Sequence, residues 1–192
     1  FRAAGLGTVF LSANRNKRSI ALDMKSDEGR SIEQELAKTA DIAIESFGTG
    51  VAERLGIDAK TLQASNERLI HCSISGFGRS GPLKNSPGYD VILQAFSGVM
   101  ALTGDEGGGY IRSPISPIDQ MTGSHAFSGI LASLLERQNT VNGCTVRVSL
   151  LETALGLLWY NLHTFWSRGV QPPNFRSRHH SPCPYPTFDA AD

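Results

Sequence analysis

The chain has 192 residues, 40% of them hydrophobic and 19% charged, a composition that fits a globular protein long enough to bury one sizeable core. Lysine plus arginine equals aspartate plus glutamate at 18 each, so overall charge gives no case for nucleic acid or an anionic membrane as a partner. No apolar run reaches the length of a membrane span, and the three cysteines, Cys72, Cys144 and Cys183, are too widely spaced for a disulfide framework or a metal cluster. With no signal peptide at its start, the expected setting is reducing and cytoplasmic, and no metal is expected. The chain opens on Phe1 and stops at FDAAD just after an extended-looking Tyr185–Phe188, which reads as a piece of something longer, truncated at both ends.

In chain order, Asn14–Arg18 (NRNKR) places Arg15, Lys17 and Arg18 in front of a predicted short strand, Ser19–Asp23. These cations are either a solvated loop or, with Lys25 and Arg54, contacts for the phosphates of a nucleotide-like ligand. Ser26 is expected to cap a helix running to about Thr39, with Asp27 and Glu28 in its positive first turn and Ile32, Leu36 and Ala37 on one apolar face. Asp41–Glu45 reads as the second strand, Val51–Leu55 and Ala59–Ser65 as short helices, and Leu69–Ser75 as a third, largely apolar strand. Strands alternating with helices predict an α/β fold, a Rossmann-like parallel sheet with flanking helices. Ligands of such sheets bind beyond the carboxyl ends of the strands, which here means Lys25, Ser46–Gly50 and Gly76–Asp90.

Gly76–Asp90 is rich in Gly and Pro, so it buries little by itself and is a connector or a binding loop. It ends in Tyr89 and Asp90 at the start of a predicted helix, Val91–Leu102, where a capping Asp beside an interfacial Tyr is the plain structural alternative. Gly104–Gly109 lacks the Lys-Ser or Lys-Thr ending of a phosphate-binding P-loop.

The stretch Ile111–Arg137 carries the leading chemical candidate. Met121, Phe127, Ile130, Leu131, Leu134 and Leu135 recur at helical spacing, interleaved with small residues that allow close packing: Gly123, Ser124, Ala126, Ser128, Gly129 and Ala132. Pro114 and Pro117 break the loop ahead of it and put Asp119 at the helix N-terminus, where free N–H groups would keep a carboxylate ionised. An ordinary capping Asp is the alternative. Cys144–Leu150 alternates like a strand, and Leu151–Ser167 is an apolar helix whose Trp159, Tyr160, Phe165 and Trp166 read as packing groups, within a domain or between subunits. His71 and His125 read as packed or surface histidines.

Read together, NRNKRSIALDMK, ADIAIESFGTGVAERLG, RLIHCSISGFGRSGP, PGYD, the Thr103–Gly104 pair and IDQMTGSHAFSGILASLLER closely resemble the family III coenzyme A transferases, the CaiB/BaiF or formyl-CoA and carnitine-CoA transferase family. The resemblance runs from about Phe10 to Phe188 with the blocks in the family's order. It implies that residues 1–192 are part of the large domain of an interlocked-dimer fold, with 151–192 forming a long helix and the start of the linker towards a second domain. It implies Asp119 as the catalytic aspartate, and coenzyme A contacts from Leu22, Asp23, Met24, Lys25, Ser46, Phe47, Gly48, Arg54, Pro87, Gly88, Tyr89 and Asp90. Ser46 departs from the family's usual Asn, and the family's N-terminal strand, first CoA-binding turn and downstream glycine-rich loop are missing here.

The activity so implied is transfer of CoA from an acyl-CoA thioester to a free carboxylic acid through aspartyl-anhydride and aspartyl-CoA intermediates. Coenzyme A enters as a substrate thioester, with no permanently bound cofactor, and the whole protein is expected to be an interlocked homodimer. Asp suits the task because its acyl derivatives are reactive and it returns unchanged, whereas a Ser ester would trap the acyl group. Two alternatives stand beside it. A 2-methylacyl-CoA racemase or epimerase of the same fold needs a base on each face of the α-carbon, but that branch has His where this chain has Tyr89. A catalytically incomplete CoA-binding fragment is the other.

Overall fold

The computed structural model describes residues 2–3, 5–104 and 108–172. Cys183, Tyr185–Phe188, the linker expected after the last helix and the middle of Gly104–Gly109 lie outside the described residues.

A two-stranded antiparallel hairpin, β1 (Arg2–Ala3) and β2 (Leu6–Gly7), leads into a six-residue helix, α1 (Thr8–Ala13). After an irregular stretch comes α2 (Asp27–Thr39), capped as expected by Ser26, whose Oγ accepts the Gly29 N–H at 3.0 Å. Then follow β3 (Ile42–Glu45), α3 (Val51–Leu55), α4 (Ala59–Ser65) and β4 (Ile70–Ser75). Beyond the Gly-rich loop lie α5 (Asp90–Ser97), α6 (Val99–Leu102), α7 (Pro117–Thr140), β5 (Thr145–Ser149) and α8 (Leu150–Arg168).

The second sheet is parallel, in the order β3-β4-β5, with Ile44 opposite Cys72 and Cys72 opposite Val146. Successive β4 side chains point to opposite faces, and both faces are covered. Ile70 and Cys72 meet Ala126 and Ile130 of α7 on one face, while Leu69, just ahead of the strand, joins Ala37, Ala52, Ile57 and Leu62 on the other. A third cluster, Leu93, Ile118, Leu150 and Ala154, packs with Ile74 at the carboxyl end of the strands and brings α5, the start of α7 and α8 together. The helix-on-both-faces parallel sheet is therefore the expected α/β architecture. Gly129 shows why small residues line α7: a Cβ there would come within 2.8 Å of Val146 Cγ1.

Several local expectations fail, each for a traceable reason. Ser19–Asp23 is not a strand, because no strand of either sheet pairs with it; β propensity is realised only where a ladder is available. On α2 the apolar pair Ile32 and Leu36 is 44% and 52% exposed, and the stripe Gly29, Glu33 and Ala37 turns inward instead. That rotation is fixed by backbone contact, since a Cβ on Gly29 would meet the Asp23 carbonyl oxygen at 2.1 Å, and by Gln34 Nε2 donating to the Gly56 carbonyl at 2.8 Å. The single helix expected over Val91–Leu102 breaks at Gly98, which adopts φ 93° and so separates α5 from α6. In α8, Trp159 departs from helical geometry (φ 42°, ψ −117°) and is 76% exposed.

Candidate functional site

The candidate site lies at the carboxyl ends of β3 and β4, where two loops and the first turn of α7 meet. The loop after β3 carries Ser46, Phe47 and Gly48, all exposed. Its backbone is clamped at one residue: the Phe47 N–H donates to Glu45 Oε2 at 2.7 Å, and the Phe47 carbonyl accepts from Arg79 Nη1 at 2.7 Å. Arg79 Nη2 is ion-paired with Glu45 Oε1 at 2.7 Å and also reaches the Ile74 carbonyl, while its Nε donates to Ser73 Oγ. One guanidinium thus ties the strand ends to the loop that follows β3. Arg79 sits inside the Gly-rich loop quoted above, but nothing in its spacing announced this clamp.

The Gly-rich loop returns to the sheet by a backbone crossing. A Cβ on Gly88 would lie 2.4 Å from Gly76 Cα, so the two chains touch with no room for a side chain. The crossing is fastened where the Leu151 N–H donates to the Gly76 carbonyl at 3.0 Å. It delivers Pro87 and Tyr89 to the surface and turns Asp90 inward.

Asp90, only 7% exposed, is the first residue of α5. Its Oδ2 accepts the Ile118 N–H at 2.9 Å and the Asp119 N–H at 3.1 Å. Its Oδ1 accepts from Gln94 Nε2, one turn along α5. Gln94 is fully buried, and its Oε1 accepts the Ser113 N–H at 2.9 Å while its Nε2 also faces the Ser113 carbonyl at 3.3 Å. The start of α7 is therefore capped from another helix: the local N-cap, Ser116, has φ 48° and makes no side-chain cap, and Pro117 follows it.

This arrangement bears on two expectations. The Asp90 carboxylate, expected among the coenzyme A contacts, is mostly buried and has protein donors on both oxygens, which is the capping alternative, though the helix it caps is α7. And the amide groups expected to hold Asp119 as an anion are occupied by Asp90. The Asp119 side chain stands open to solvent, yet partial burial and then the neighbouring charge of Asp90 push its carboxyl above the ordinary aspartate value. Asp119 is a more basic carboxylate than a simple helix-end argument predicts. Gln94 was missed altogether, although its i,i+4 spacing from Asp90 is a usable sequence signal.

The remaining named residues fall into three groups. Leu22, Asp23, Met24 and Lys25 form a turn closed by the Lys25 N–H donating to Asp23 Oδ1 at 3.0 Å and the Ser26 N–H to the Asp23 carbonyl at 3.0 Å. Met24 packs on the same core cluster as Leu55, the neighbour of Arg54, so this turn and α3 share one face of the sheet; the Lys25 and Arg54 side chains lie at the surface. Arg15, Lys17 and Arg18 are exposed on the irregular stretch after α1. His71 is buried with Nε2 3.3 Å from the Ile57 carbonyl, and His125 Nδ1 lies 3.1 Å from Thr153 Oγ1. A polar cleft of about 340 Å³ adjoins the Phe47 loop between Glu45, His71, Arg79 and Arg147, and an apolar groove of about 520 Å³ lies between α5–α6 and α8; neither contains Asp119. Among the described residues no group of His, Cys, Asp or Glu could hold a metal, and no helix is long and apolar enough to cross a membrane.

The profile of CoA-transferase family III matches residues 1–192. Among curated relatives, succinyl-CoA:glutarate CoA-transferase of Mus musculus is 34% identical over 185 residues, covering 96% of this chain and 42% of that protein. Acetyl-CoA:oxalate CoA-transferase of Acetobacter aceti is 36% identical over 184 residues, covering 95% and 47%. The crystal structure of a CAIB/BAIF family protein from Brucella suis superposes with a TM-score of 0.90 at 31% identity, over 98% of this chain and 50% of that one. The chain thus spans about half the length of the relatives it matches. With a profile match along its whole length and a fold shared at that level, the chain belongs to CoA-transferase family III.

Proposed function

We propose that the whole protein carrying this chain transfers coenzyme A from an acyl-CoA thioester to a free carboxylic acid, with Asp119 as the nucleophile. The observation that carries this reading is the Asp119 carboxylate itself, open to solvent at the carboxyl end of the sheet and made more basic by burial and by Asp90. The names of the relatives support the same class of reaction, since their paired acids include succinate, glutarate and oxalate.

In the proposed sequence, Asp119 attacks the thioester carbonyl carbon, the C–S bond breaks, and CoA thiolate leaves a mixed anhydride on the side chain. The thiolate attacks the Asp119 acyl carbon and expels the donor acid as its carboxylate, giving an aspartyl-CoA thioester. The acceptor carboxylate attacks that thioester, regenerating thiolate and a second anhydride. Attack of the thiolate on the acceptor's acyl carbon forms the product thioester and returns Asp119 as carboxylate. Thioester energy is conserved throughout, so no ATP is consumed. Each tetrahedral oxyanion needs preorganised donors. With the Ile118 and Asp119 N–H groups engaged by Asp90, those donors are other groups than these two.

Coenzyme A is assigned to the Leu22–Lys25 turn, Ser46–Gly48, Arg54 and Pro87–Tyr89, with Lys25 and Arg54 as phosphate partners. It is a substrate thioester, with no permanently bound cofactor. The same reading makes the protein an interlocked homodimer acting in the cytoplasm. The racemase alternative finds no second base at His71, which is packed in the core, or at His125, which faces Thr153; the other described histidine, His163, is exposed on α8. Retained α-proton exchange in deuterated water without CoA transfer between acids would favour it.

The test uses Asp119→Ala in the whole protein, assayed with succinate, glutarate and oxalate against several acyl-CoA donors. Transfer is expected to fall by at least about a thousandfold while CoA affinity stays within about threefold. Hydroxylamine trapping followed by mass spectrometry should mark Asp119 in the parent during turnover. Activity of the variant near the parent rate would remove the assignment.

A further inference from the structure

Resting on the CoA-transfer reading, we propose that the buried Asp90–Gln94 pair is a positioning device that couples the Pro87–Tyr89 loop to the nucleophile-bearing turn of α7. Capping a helix for stability alone needs only a Ser, Asp or Asn at the preceding position. Here Ser116 occupies that position in a left-handed conformation and makes no cap, and the task falls to a carboxylate 28 residues away in sequence. Burying a charge is costly unless every oxygen is satisfied. Asp90 meets that condition with donors from Ile118, Asp119 and Gln94, and Gln94 extends the hold to both backbone polar groups of Ser113. One side chain therefore grips the loop before α7 and another grips its first turn.

The geometry links two parts of the reaction. Tyr89, at the surface, directly precedes Asp90, so displacement of the Pro87–Tyr89 loop by a ligand is passed through one residue to the backbone of Asp119. Asp90 also takes up the amide groups that would otherwise stabilise the Asp119 anion, which leaves that carboxylate free to attack. Burial and the charge of Asp90 raise the Asp119 carboxyl in the same direction. Asp90 thus acts through Asp119 and is a positioning residue.

The experiment compares Asp90→Asn, Asp90→Ala and Gln94→Met in the whole protein, with kcat expressed per trapped aspartyl site and KM measured for the acyl-CoA donor. Asn keeps one oxygen for the α7 amides and loses the charge, so its kcat per site should fall about three- to tenfold. Ala loses both, and its kcat should fall about ten- to hundredfold with KM within about threefold of the parent. Gln94→Met should fall between parent and Asp90→Ala. A purely structural cap would instead lower the number of trappable sites and the melting temperature, leaving kcat per site unchanged. Parental kcat per site in the folded variants, or a rise in KM with kcat intact, overturns the proposal. If Asp90→Ala does not fold, Asp90→Asn and Gln94→Met decide alone. Full activity in Asp119→Ala would count against the transfer reading itself, which separates the two failures.

Discussion

The two ends of the parallel sheet are built on opposite plans. At the amino ends of the strands every connection is fastened by a side chain on a backbone carbonyl. Arg137, 8% exposed, donates to the carbonyls of Arg68 and Asp41 and pairs with the Asp41 carboxylate at 2.8 Å. Gln63 bridges the carbonyls of Leu69 and Cys144, and Asn66 bridges those of Ala37 and Ala40. At the carboxyl ends the long-range ties are concentrated in Arg79 and Asp90, and much of the loop surface is open. One end is closed for stability, while the other keeps exposed backbone and a basic carboxylate within reach of a ligand.

Three changes test that contrast. The largest effect is expected at the closed end: Arg137→Met should lower the unfolding free energy by about 2 kcal/mol, because it takes the side-chain donor from the Arg68 carbonyl and the ion pair from Asp41, while the Asp41 carbonyl keeps the Ile70 N–H. Urea denaturation followed by circular dichroism measures this, and kcat at a permissive temperature should stay at the parent value. A parental midpoint would show that the amino ends are not where stability resides.

At the open end Gly88→Ala should act on binding. The added Cβ has no space against Gly76, so the loop carrying Pro87 and Tyr89 must shift; CoA affinity should drop about tenfold, read by calorimetry. Unchanged affinity would remove this loop from the CoA surface.

The smallest effect concerns pH. Because the Asp119 carboxyl lies above the ordinary aspartate value, its non-nucleophilic protonated form takes over earlier on acidification. The acid limb of kcat/KM should therefore lie above the usual carboxylate range, and Asp90→Asn should move it down. The same sign governs stability. An acid raised in the folded state favours folding below its unfolded value, and this contribution is lost as pH rises through the folded value. At neutral pH Asp119→Asn should consequently be no less stable than the parent. A clear loss of melting temperature in that variant would contradict the stated origin of the shift.

What the sequence made legible was local. The Ser26 cap, the Pro117 start of α7 and the apolar β4 each depend on residues within a turn or so of one another, and each stands where the pattern put it. The inward face of α2 was misread because a contact between Gly29 and Asp23, not the apolar periodicity, sets its rotation. Ser19–Asp23 had strand composition without a neighbour to pair with. Asp119 stands in the first turn of α7, as the prolines ahead of it predict, but its electrostatics are inverted by Asp90, and nothing local reveals that a carboxylate 29 residues earlier takes its amide hydrogen.

The break at Trp159 has a practical corollary. The sequence has two tryptophans, Trp159 and Trp166, both on α8 and 76% and 70% exposed. Intrinsic ultraviolet emission therefore senses the kinked α8 and not the sheet, and in this chain it should be centred at the red wavelengths of hydrated indole. Covering of that helix by additional polypeptide would shift the band towards the blue, which makes the native fluorophores a label-free gauge of assembly.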